Sequence, residues 1–197
     1  IITILIENDR ASLDNKYSLL KAAQKHWAKQ SLKGRVAVLH RFYDLLDLEK
    51  EKLAAILTSE VGKPLQQSRN ELNGARTRIQ WMIGNAEKYL SDEWVTDTDE
   101  LKEKISYDPL GVICNISAWN YPYLVGVNVF VPALIAGNAV MYKPSEYASL
   151  TGMEIERLLK KAGVPENVFQ IAIGGKETGE HLLDMDFDGY FFTGSYK

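Results

Sequence analysis

Four short apolar segments in the second half of the sequence constrain the fold more than any other feature. They are VICNIS, AVMYK, VFQIAI and GYFF, and each is followed by a turn and then by a helix or the start of one. Strands that alternate with helices form parallel sheets, and strands covered on both faces are almost continuously apolar. The sequence therefore predicts an α/β fold built around a parallel sheet.

Polar residues or glycines follow each of these predicted strands. They lie at 117–120, 143–146, 174–175 and 193–195. In open parallel sheets, ligands bind outside the carboxyl ends of the strands, where all four clusters would meet. We therefore expect a nucleotide site at this edge.

Composition and charge exclude several classes of protein. The 197 residues are 46% hydrophobic and 25% charged, which is typical of a globular protein with one good core or two small ones. A net charge of -3 without a basic stripe argues against a nucleic-acid partner. No apolar run reaches the roughly 20 residues that cross a bilayer, and the opening IITILI is too short for a secretory signal. We expect a cytoplasmic protein with no membrane partner.

Cysteine and histidine are too sparse for a disulfide framework or a metal site. Cys114 is the single cysteine, and the three histidines are scattered. Because Cys114 lies inside an apolar strand, we expect a buried thiol with a raised pKa, which is unsuited to act as a nucleophile.

Helical periodicity dominates the first 90 residues. Ser12 or Asp14 is a candidate N-cap for a first helix, which ends at the break from Ser31 to Gly34. The spacing of apolar residues predicts one long second helix from Arg35 to Gly62.

A third helix is predicted from about residue 65 to residue 90. The acidic stretch that follows gives way to an alternating segment before a Pro-Gly turn, which predicts a hairpin or arm over residues 91–108. The chain thus divides into parts at 1–90, 91–108 and 109–197.

Four motifs in a fixed order resemble the aldehyde dehydrogenase superfamily. They are PLGVICNISAWNYP, PALIAGNAVMYKPSE, KKAGVPENVFQIAIGG and FFTGS, and the resemblance extends back through EVGKPLQQSRNEL over almost the whole chain. It implies that 1–90 are N-terminal helices of the cofactor domain and 109–197 part of its Rossmann-like NAD-binding sheet, without a G-x-G-x-x-G fingerprint. It also implies that 91–108 form an arm for dimers or tetramers. The short N-terminus is similar to the succinate-semialdehyde dehydrogenase type.

The turn after the first strand carries the candidate catalytic residue, Asn120. A side-chain amide there can donate a hydrogen bond to an oxyanion, which is worth about a hundredfold to a thousandfold in rate. The resemblance implies that Asn120 holds the oxygen of the thiohemiacetal formed at the substrate carbonyl. The alternative is an asparagine that only shapes a turn. The resemblance also assigns Ser117 and Trp119 to the cofactor site, although packing is the favoured role for Trp119.

The second turn carries candidate residues for the adenosine half of the cofactor. A lysine cation suits hydroxyls and phosphates, and the resemblance implies that Lys143 reaches the adenine ribose. Glu146 can accept a hydrogen bond from a ribose 2'-hydroxyl and would repel a 2'-phosphate, so it favours NAD, with NADP possible. The alternative is that Ser145 and Glu146 cap the next helix.

The third and fourth turns complete the predicted cofactor site. Gly175 resembles the family glycine at which the backbone passes close to adenosine, and Gly174 suits a tight turn. Gly194 and Ser195 stand where a strand would lead into a helix N-terminus, which binds pyrophosphate through backbone N–H groups. The resemblance places Phe192 beside the adenine, although packing is the favoured role for this side chain.

The family pattern continues to a glutamate, a nucleophilic cysteine in a G-Q-x-C context and an E-x-F motif, which these 197 residues lack. We therefore interpret the chain as the N-terminal segment of an NAD(P)-dependent aldehyde dehydrogenase that oxidises an aldehyde to a carboxylic acid, and expect it to be inactive alone. A second hypothesis is a non-catalytic remnant that binds nucleotide weakly or pairs with a homologous subunit. A third is an unrelated α/β nucleotide-binding protein.

Overall fold

The computed structural model describes residues 2–195 of the chain. Its helices are α1 (Arg10–Ala28), α2 (Leu32–Leu48), α3 (Lys50–Val61), α4 (Leu65–Leu90), α5 (Pro122–Ile135), α6 (Ser149–Ala162) and α7 (Lys176–Leu183). Its strands are β1 (Glu93–Asp97), β2 (Lys102–Ile105), β3 (Val112–Ile116), β4 (Ala139–Lys143), β5 (Phe169–Ile171) and β6 (Gly189–Phe192). The four apolar segments of the sequence supply β3 to β6.

The parallel sheet has the strand order β5-β4-β3-β6. At its carboxyl edge, Ile116 of β3 is in register with Lys143 of β4 on one side and with Phe192 of β6 on the other. Helices α5, α6 and α7 connect successive strands of this sheet. The prediction of an α/β fold with a parallel sheet is confirmed.

Helices cover both faces of the sheet, so adjacent residues of one strand enter different cores. Ile113 packs into the larger core, which includes Phe130 of α5. Cys114 packs into the smaller core with Leu20 of α1 and Leu182 of α7. This double burial explains why the strands read as continuous apolar runs and lack alternation.

The predicted start of the first helix was wrong. The helix begins at Arg10, and its N-cap is Asp9, whose carboxylate accepts a 2.8 Å hydrogen bond from the Ser12 amide. Ser12 and Asp14 therefore lie inside the helix. An aspartate three residues ahead of the accepted N–H is a favourable cap, which competed with Ser12 for this role.

The single long second helix was also a wrong prediction, because the chain breaks at Glu49. This residue ends α2 and precedes α3, with φ of -103° and ψ of 12°. Arg157 and Lys161 of α6 hold the Glu49 carboxylate, the lysine at 2.8 Å. The residue at the break thus contacts a helix more than a hundred residues away in the sequence, and the local segment contains no glycine or proline.

The third predicted helix, from residue 65 to 90, is confirmed as α4. Strands β1 and β2 form an antiparallel hairpin with a bulge between Trp94 and Thr96. The hairpin is almost wholly exposed. It stays a prediction that this hairpin is an oligomerisation arm. The division of the chain into three parts also stays a prediction. Among the described residues, no helix combines the length and the apolar character needed to cross a membrane.

Candidate functional site

The sheet topology brings all the sequence-predicted site residues to one edge. Because β3, β4, β5 and β6 are parallel, their carboxyl ends point the same way. The segments at 117–120, 143–146, 174–175 and 192–195 follow these four ends. The geometry gathers the residues, while the role of each one stays a prediction.

Asn120 lies in an exposed turn between β3 and α5. Its backbone carbonyl accepts a 2.5 Å hydrogen bond from the ammonium of Lys63, which also lies 3.9 Å from the centre of the Tyr121 ring. Trp119, next to it, is 51% exposed. Ser117, which follows β3 directly, is buried.

A buried carboxylate holds the other side of this turn. Glu71 of α4 accepts hydrogen bonds from the backbone amides of Tyr123 at 2.8 Å and of Leu124 at 3.4 Å, and it also pairs with Lys63. The N-cap residue of α5, Tyr121, provides no side-chain cap. Glu71 therefore satisfies the orphan amides of α5 from another helix. Burial raises the pKa of Glu71, and the Lys63 cation opposes that rise.

Lys143 ends β4 as a buried cation with little hydrogen bonding. Its ammonium makes one long contact, 3.4 Å, to the Pro144 carbonyl. Burial lowers the pKa of Lys143, while the carboxylates of Glu146 and Glu7 act in the opposite direction. A lysine ammonium can donate three hydrogen bonds, so this one retains donors for a ligand.

Ser145 acts as a cap in the structure. Its hydroxyl accepts a 3.3 Å hydrogen bond from the Tyr147 amide at the start of the short 3-10 turn Glu146–Ala148. Helix α6 is instead held by Glu60, whose carboxylate accepts bonds of 2.6 and 2.7 Å from the amides of Leu150 and Thr151. Ser145 thus caps the 3-10 turn and not α6, so the predicted capping of the next helix by Ser145 and Glu146 was wrong, and Glu146 is exposed.

Two adjacent glycines after β5 are glycine for different reasons. Gly174 has φ of +152°, and a Cβ there would lie 1.9 Å from the hydroxyl oxygen of Thr178. Gly175 has φ of -89°, and a Cβ there would meet no atom within 4 Å. The fold requires glycine at 174. At 175 it leaves open space against the backbone, which a closely approaching ligand can use.

A cavity of about 490 Å³ opens beside the ends of β4 and β5. Its walls include Gly174, Glu146, Glu60 and Glu7. The segment that carries Glu7 is fixed by Asn8. The backbone N–H of Asn8 donates a hydrogen bond of 2.7 Å to the Ile173 carbonyl. The Glu7 carboxylate accepts a 3.2 Å bond from the Gly175 amide. The cavity is therefore lined by three carboxylates.

The end of β6 is open by comparison. Phe192 is 66% exposed, and Gly194 and Ser195 are exposed as well. A Cβ on Gly194 would lie 2.5 Å from the Phe192 ring, so local packing already requires glycine there. The helix expected to begin after Ser195 lies outside the described residues.

Cys114 is wholly buried in β3, as the sequence indicated. Burial raises the pKa of its thiol to about 12. The thiolate, which is the nucleophilic form, is therefore almost absent at neutral pH.

Sequence reasoning missed four residues that shape this edge. They are Glu7, Glu60, Lys63 and Glu71. A signal existed for three of them, because Glu60, Lys63 and Glu71 stand in the EVGKPLQQSRNEL motif that carries part of the resemblance. Nothing in the local pattern marks Glu7, since its partner, Gly175, lies far along the chain.

Two curated relatives illustrate the similarity at the sequence level. The chain is 30% identical over 188 residues to N-succinylglutamate 5-semialdehyde dehydrogenase of Sphingopyxis alaskensis, a match that covers 95% of the chain and 39% of the relative. It is 37% identical over 174 residues to the NADP/NAD-dependent aldehyde dehydrogenase PuuC of Escherichia coli, with 87% and 35% covered. The chain thus spans less than two fifths of the length of these relatives.

Solved structures show the same fold. The aldehyde dehydrogenase from Brucella melitensis biovar abortus 2308 superposes with a TM-score of 0.85 at 29% identity, covering 93% of this chain and 38% of that one. A 3,6-anhydro-L-galactose dehydrogenase in complex with NAP gives a TM-score of 0.82 at 31% identity, with 91% and 38% covered. Residues 3–197 match the aldehyde dehydrogenase family. Motifs, fold and relatives agree that the chain belongs to the aldehyde dehydrogenase family, a family of oxidoreductases.

Proposed function

We propose that this chain is the N-terminal part of an NAD-dependent aldehyde dehydrogenase that oxidises an aldehyde to a carboxylic acid. The observation that carries the proposal is the carboxyl edge of the sheet. There the Asn120 turn, the under-bonded cation of Lys143 and the open backbone at Gly175 follow three neighbouring strands, β3, β4 and β5. Membership of the family supports the reaction type.

NAD fits the residues at this edge. When bound, it would accept hydride from the substrate. Lys143 has free donors for ribose hydroxyls, and Gly175 leaves room for a close approach to the backbone. Gly194 and Ser195 are the residues we assign to the pyrophosphate, and Phe192, Trp119 and Ser117 remain assigned to the surroundings of the cofactor.

The charge of the cavity supports NAD over NADP. Glu7, Glu60 and Glu146 line it, so its three carboxylates outnumber the nearby cation of Lys143. A 2'-phosphate would meet like charge there, whereas a 2'-hydroxyl can donate to a carboxylate. The relative named NADP/NAD-dependent and the neighbour in complex with NAP are consistent with use of either cofactor within the family.

Asn120 is the residue we assign to the chemistry. Its exposed side chain carries an N–H donor, and an amide donor aimed at a developing oxyanion stabilises the transition state. The Lys63 contact fixes the backbone of the same residue. For the substrate we propose a semialdehyde, the class that appears in the name of the Sphingopyxis alaskensis relative.

The test uses the complete polypeptide that contains these residues, assayed for NADH formation against semialdehydes and simple aldehydes. We expect activity with NAD, and Asn120→Ala lowers kcat about a hundredfold while NAD binding is unchanged. Glu146→Gln should tighten NADP binding relative to NAD. Absence of NADH with every aldehyde, or full kcat in Asn120→Ala, would contradict the proposal.

A second candidate function is pairing between subunits through the hairpin, either in a dimeric or tetrameric enzyme or in a non-catalytic remnant. The supporting observation is that Trp94, Val95, Leu101 and Ile105 are apolar and exposed on a two-stranded hairpin. Such a hairpin is marginally stable alone, and a cluster of exposed apolar side chains marks an interaction surface. Sedimentation of the chain and of its Ile105→Glu variant tests this, and we expect the variant to dissociate.

A further inference from the structure

The turn that carries Asn120 is held from outside by two side chains of the helical region. Lys63 stands between α3 and α4, in a short connection whose shape is set by its neighbours. Gly62 has a left-handed φ of +69°, and Pro64 has a φ of -54°. Thr58 and Ser68 join the flanking helices by a 2.9 Å hydrogen bond. The Lys63 backbone is therefore rigid before its side chain reaches the turn.

The Lys63 and Glu71 side chains form one buried unit, with exposures of 9% and 0%. On one side Lys63 donates to the Asn120 carbonyl at 2.5 Å. On the other side Glu71 accepts from the Tyr123 amide at 2.8 Å. The pair thus contacts the backbone of Asn120, the candidate oxyanion donor, and the backbone of Tyr123 three residues later.

The two ends of α5 are held by different side chains: the Lys63–Glu71 pair contacts the N-terminal end, and residues of α1 and α2 contact the C-terminal end. Arg35 donates from Nε to the Ile135 carbonyl at 2.8 Å, and the Trp27 indole donates to the Leu134 carbonyl at 2.9 Å. Because Tyr123 is wholly buried in the core, loss of the Lys63–Glu71 pair would loosen the turn ahead of α5 and its first residues, while the C-terminal end stays in place. The displacement would be concentrated in residues 119–124.

We propose that Lys63 and Glu71 are positioning residues that set the direction of the Asn120 amide. The proposal rests on the function proposed above for Asn120. The Asn120 carbonyl carbon is bonded to the Cα that carries the side chain, so a shift of this carbonyl reorients the amide. Small misplacements of a catalytic group cost large factors in rate, about a hundredfold for 1 Å.

A double-mutant cycle in the complete polypeptide tests the catalytic part of the proposal. Lys63→Met and Glu71→Gln should each lower kcat about tenfold with the KM for NAD unchanged, and Lys63→Arg should restore part of kcat. In an Asn120→Ala background, the same changes should give no further loss, because they act through Asn120. Further loss in that background would overturn the proposal.

The matched control is Glu51→Gln. Glu51 pairs with Arg69 at 2.7 Å and, like the Lys63–Glu71 pair, joins the α3 region to α4, but it contacts nothing in the turn. We expect its kcat to equal that of the unmodified protein. A tenfold loss in this variant would show that any ion pair between these helices affects activity, and would overturn the proposal.

A measurement on the 197-residue chain separates this inference from the proposed function. The side-chain amide resonances of Asn120, observed by 15N NMR, should shift in Lys63→Met and remain in place in Glu51→Gln. Unshifted resonances in Lys63→Met would overturn the positioning role, whatever the activity. Shifted resonances together with full kcat in Asn120→Ala would leave the positioning role standing and refute the function proposed for Asn120.

Discussion

The carboxyl ends of the neighbouring strands β3 and β6 differ in how they are held. After β3, the chain enters a turn fixed by a buried ion pair and leads into a helix packed in the core. After β6, the chain passes through Phe192 and Gly194 with both exposed to solvent. Both ends follow parallel strands in register with each other, so the difference comes from what packs around each strand.

Position in the sheet explains this difference. β3 has a neighbour on each side, and helices cover both of its faces, whereas β6 pairs only with β3 among the described strands. Tyr190 and Phe191 of β6 are accordingly about half exposed. The comparison teaches that the part of the edge formed by β3, β4 and β5 is organised by its own packing, and that the β6 end is not.

The largest expected contrast is between Phe130 and Phe191. Phe130 is wholly buried, and its ring packs against Phe169 and Tyr142 at centroid distances of 5.4 and 5.7 Å. Phe130→Ala should lower the free energy of unfolding by about 3–5 kcal/mol. Phe191→Ala, on β6, should cost less than about 1 kcal/mol because 45% of its surface is exposed. Urea unfolding measures both, and equal losses would refute the comparison.

Glu60 gives the next largest effect. It accepts three hydrogen bonds of 2.6 to 2.7 Å from the start of α6, including one from the Thr151 hydroxyl. Glu60→Ala should lower the free energy of unfolding by about 1–3 kcal/mol, since three donors lose a charged acceptor. Glu177→Ala is the control, because Glu177 is exposed in the first turn of α7. If Glu60→Ala left the midpoint of urea unfolding unchanged, water would replace the carboxylate with no loss in the free energy of unfolding.

These effects mark the boundary of what the sequence could predict. The strands, α4 and the common edge followed from apolar runs and turn residues, because local composition determines them. Three features involve contacts between segments distant in sequence: Glu49 with α6, Glu60 with the start of α6, and Lys63 with the Asn120 turn. Periodicity carries no information about such contacts. The resemblance named the candidate site residues, but it did not indicate what holds them.

The Glu49 carboxylate is expected to make a smaller contribution to stability, and this contribution depends on pH. Hydrogen bonds from Arg157 and Lys161 lower the pKa of its carboxyl from 4.5 to about 2. A lowered pKa in the folded state stabilises the protein above about pH 4.5, and the contribution disappears as the pH falls towards about 2. After allowance for solvent screening, roughly 1 kcal/mol is expected, or about 2–4 °C in Tm.

The measurement for Glu49 is Tm against pH for the unmodified chain and for Glu49→Gln. The two curves should differ at neutral pH and converge in acid. Asp92→Asn is the control, because Asp92 pairs with Lys104 on the exposed hairpin, where such pairs contribute little. A constant offset between the Glu49→Gln curve and that of the unmodified chain at every pH would exclude ionisation of Glu49 as the cause.

Gly175 is expected to show the smallest effect on stability and the clearest one on binding. A Cβ at 175 meets nothing within 4 Å, so Gly175→Ala should change the free energy of unfolding by no more than about 0.5 kcal/mol. Gly174→Ala is the opposite case, because its Cβ would overlap the Thr178 hydroxyl. If the space at Gly175 admits a nucleotide, Gly175→Ala weakens NAD binding to the complete polypeptide while its Tm stays constant. Unchanged NAD binding would mean that the cofactor does not approach this backbone, and the organised part of the edge would then have to bind it through Lys143 and Glu146 without Gly175.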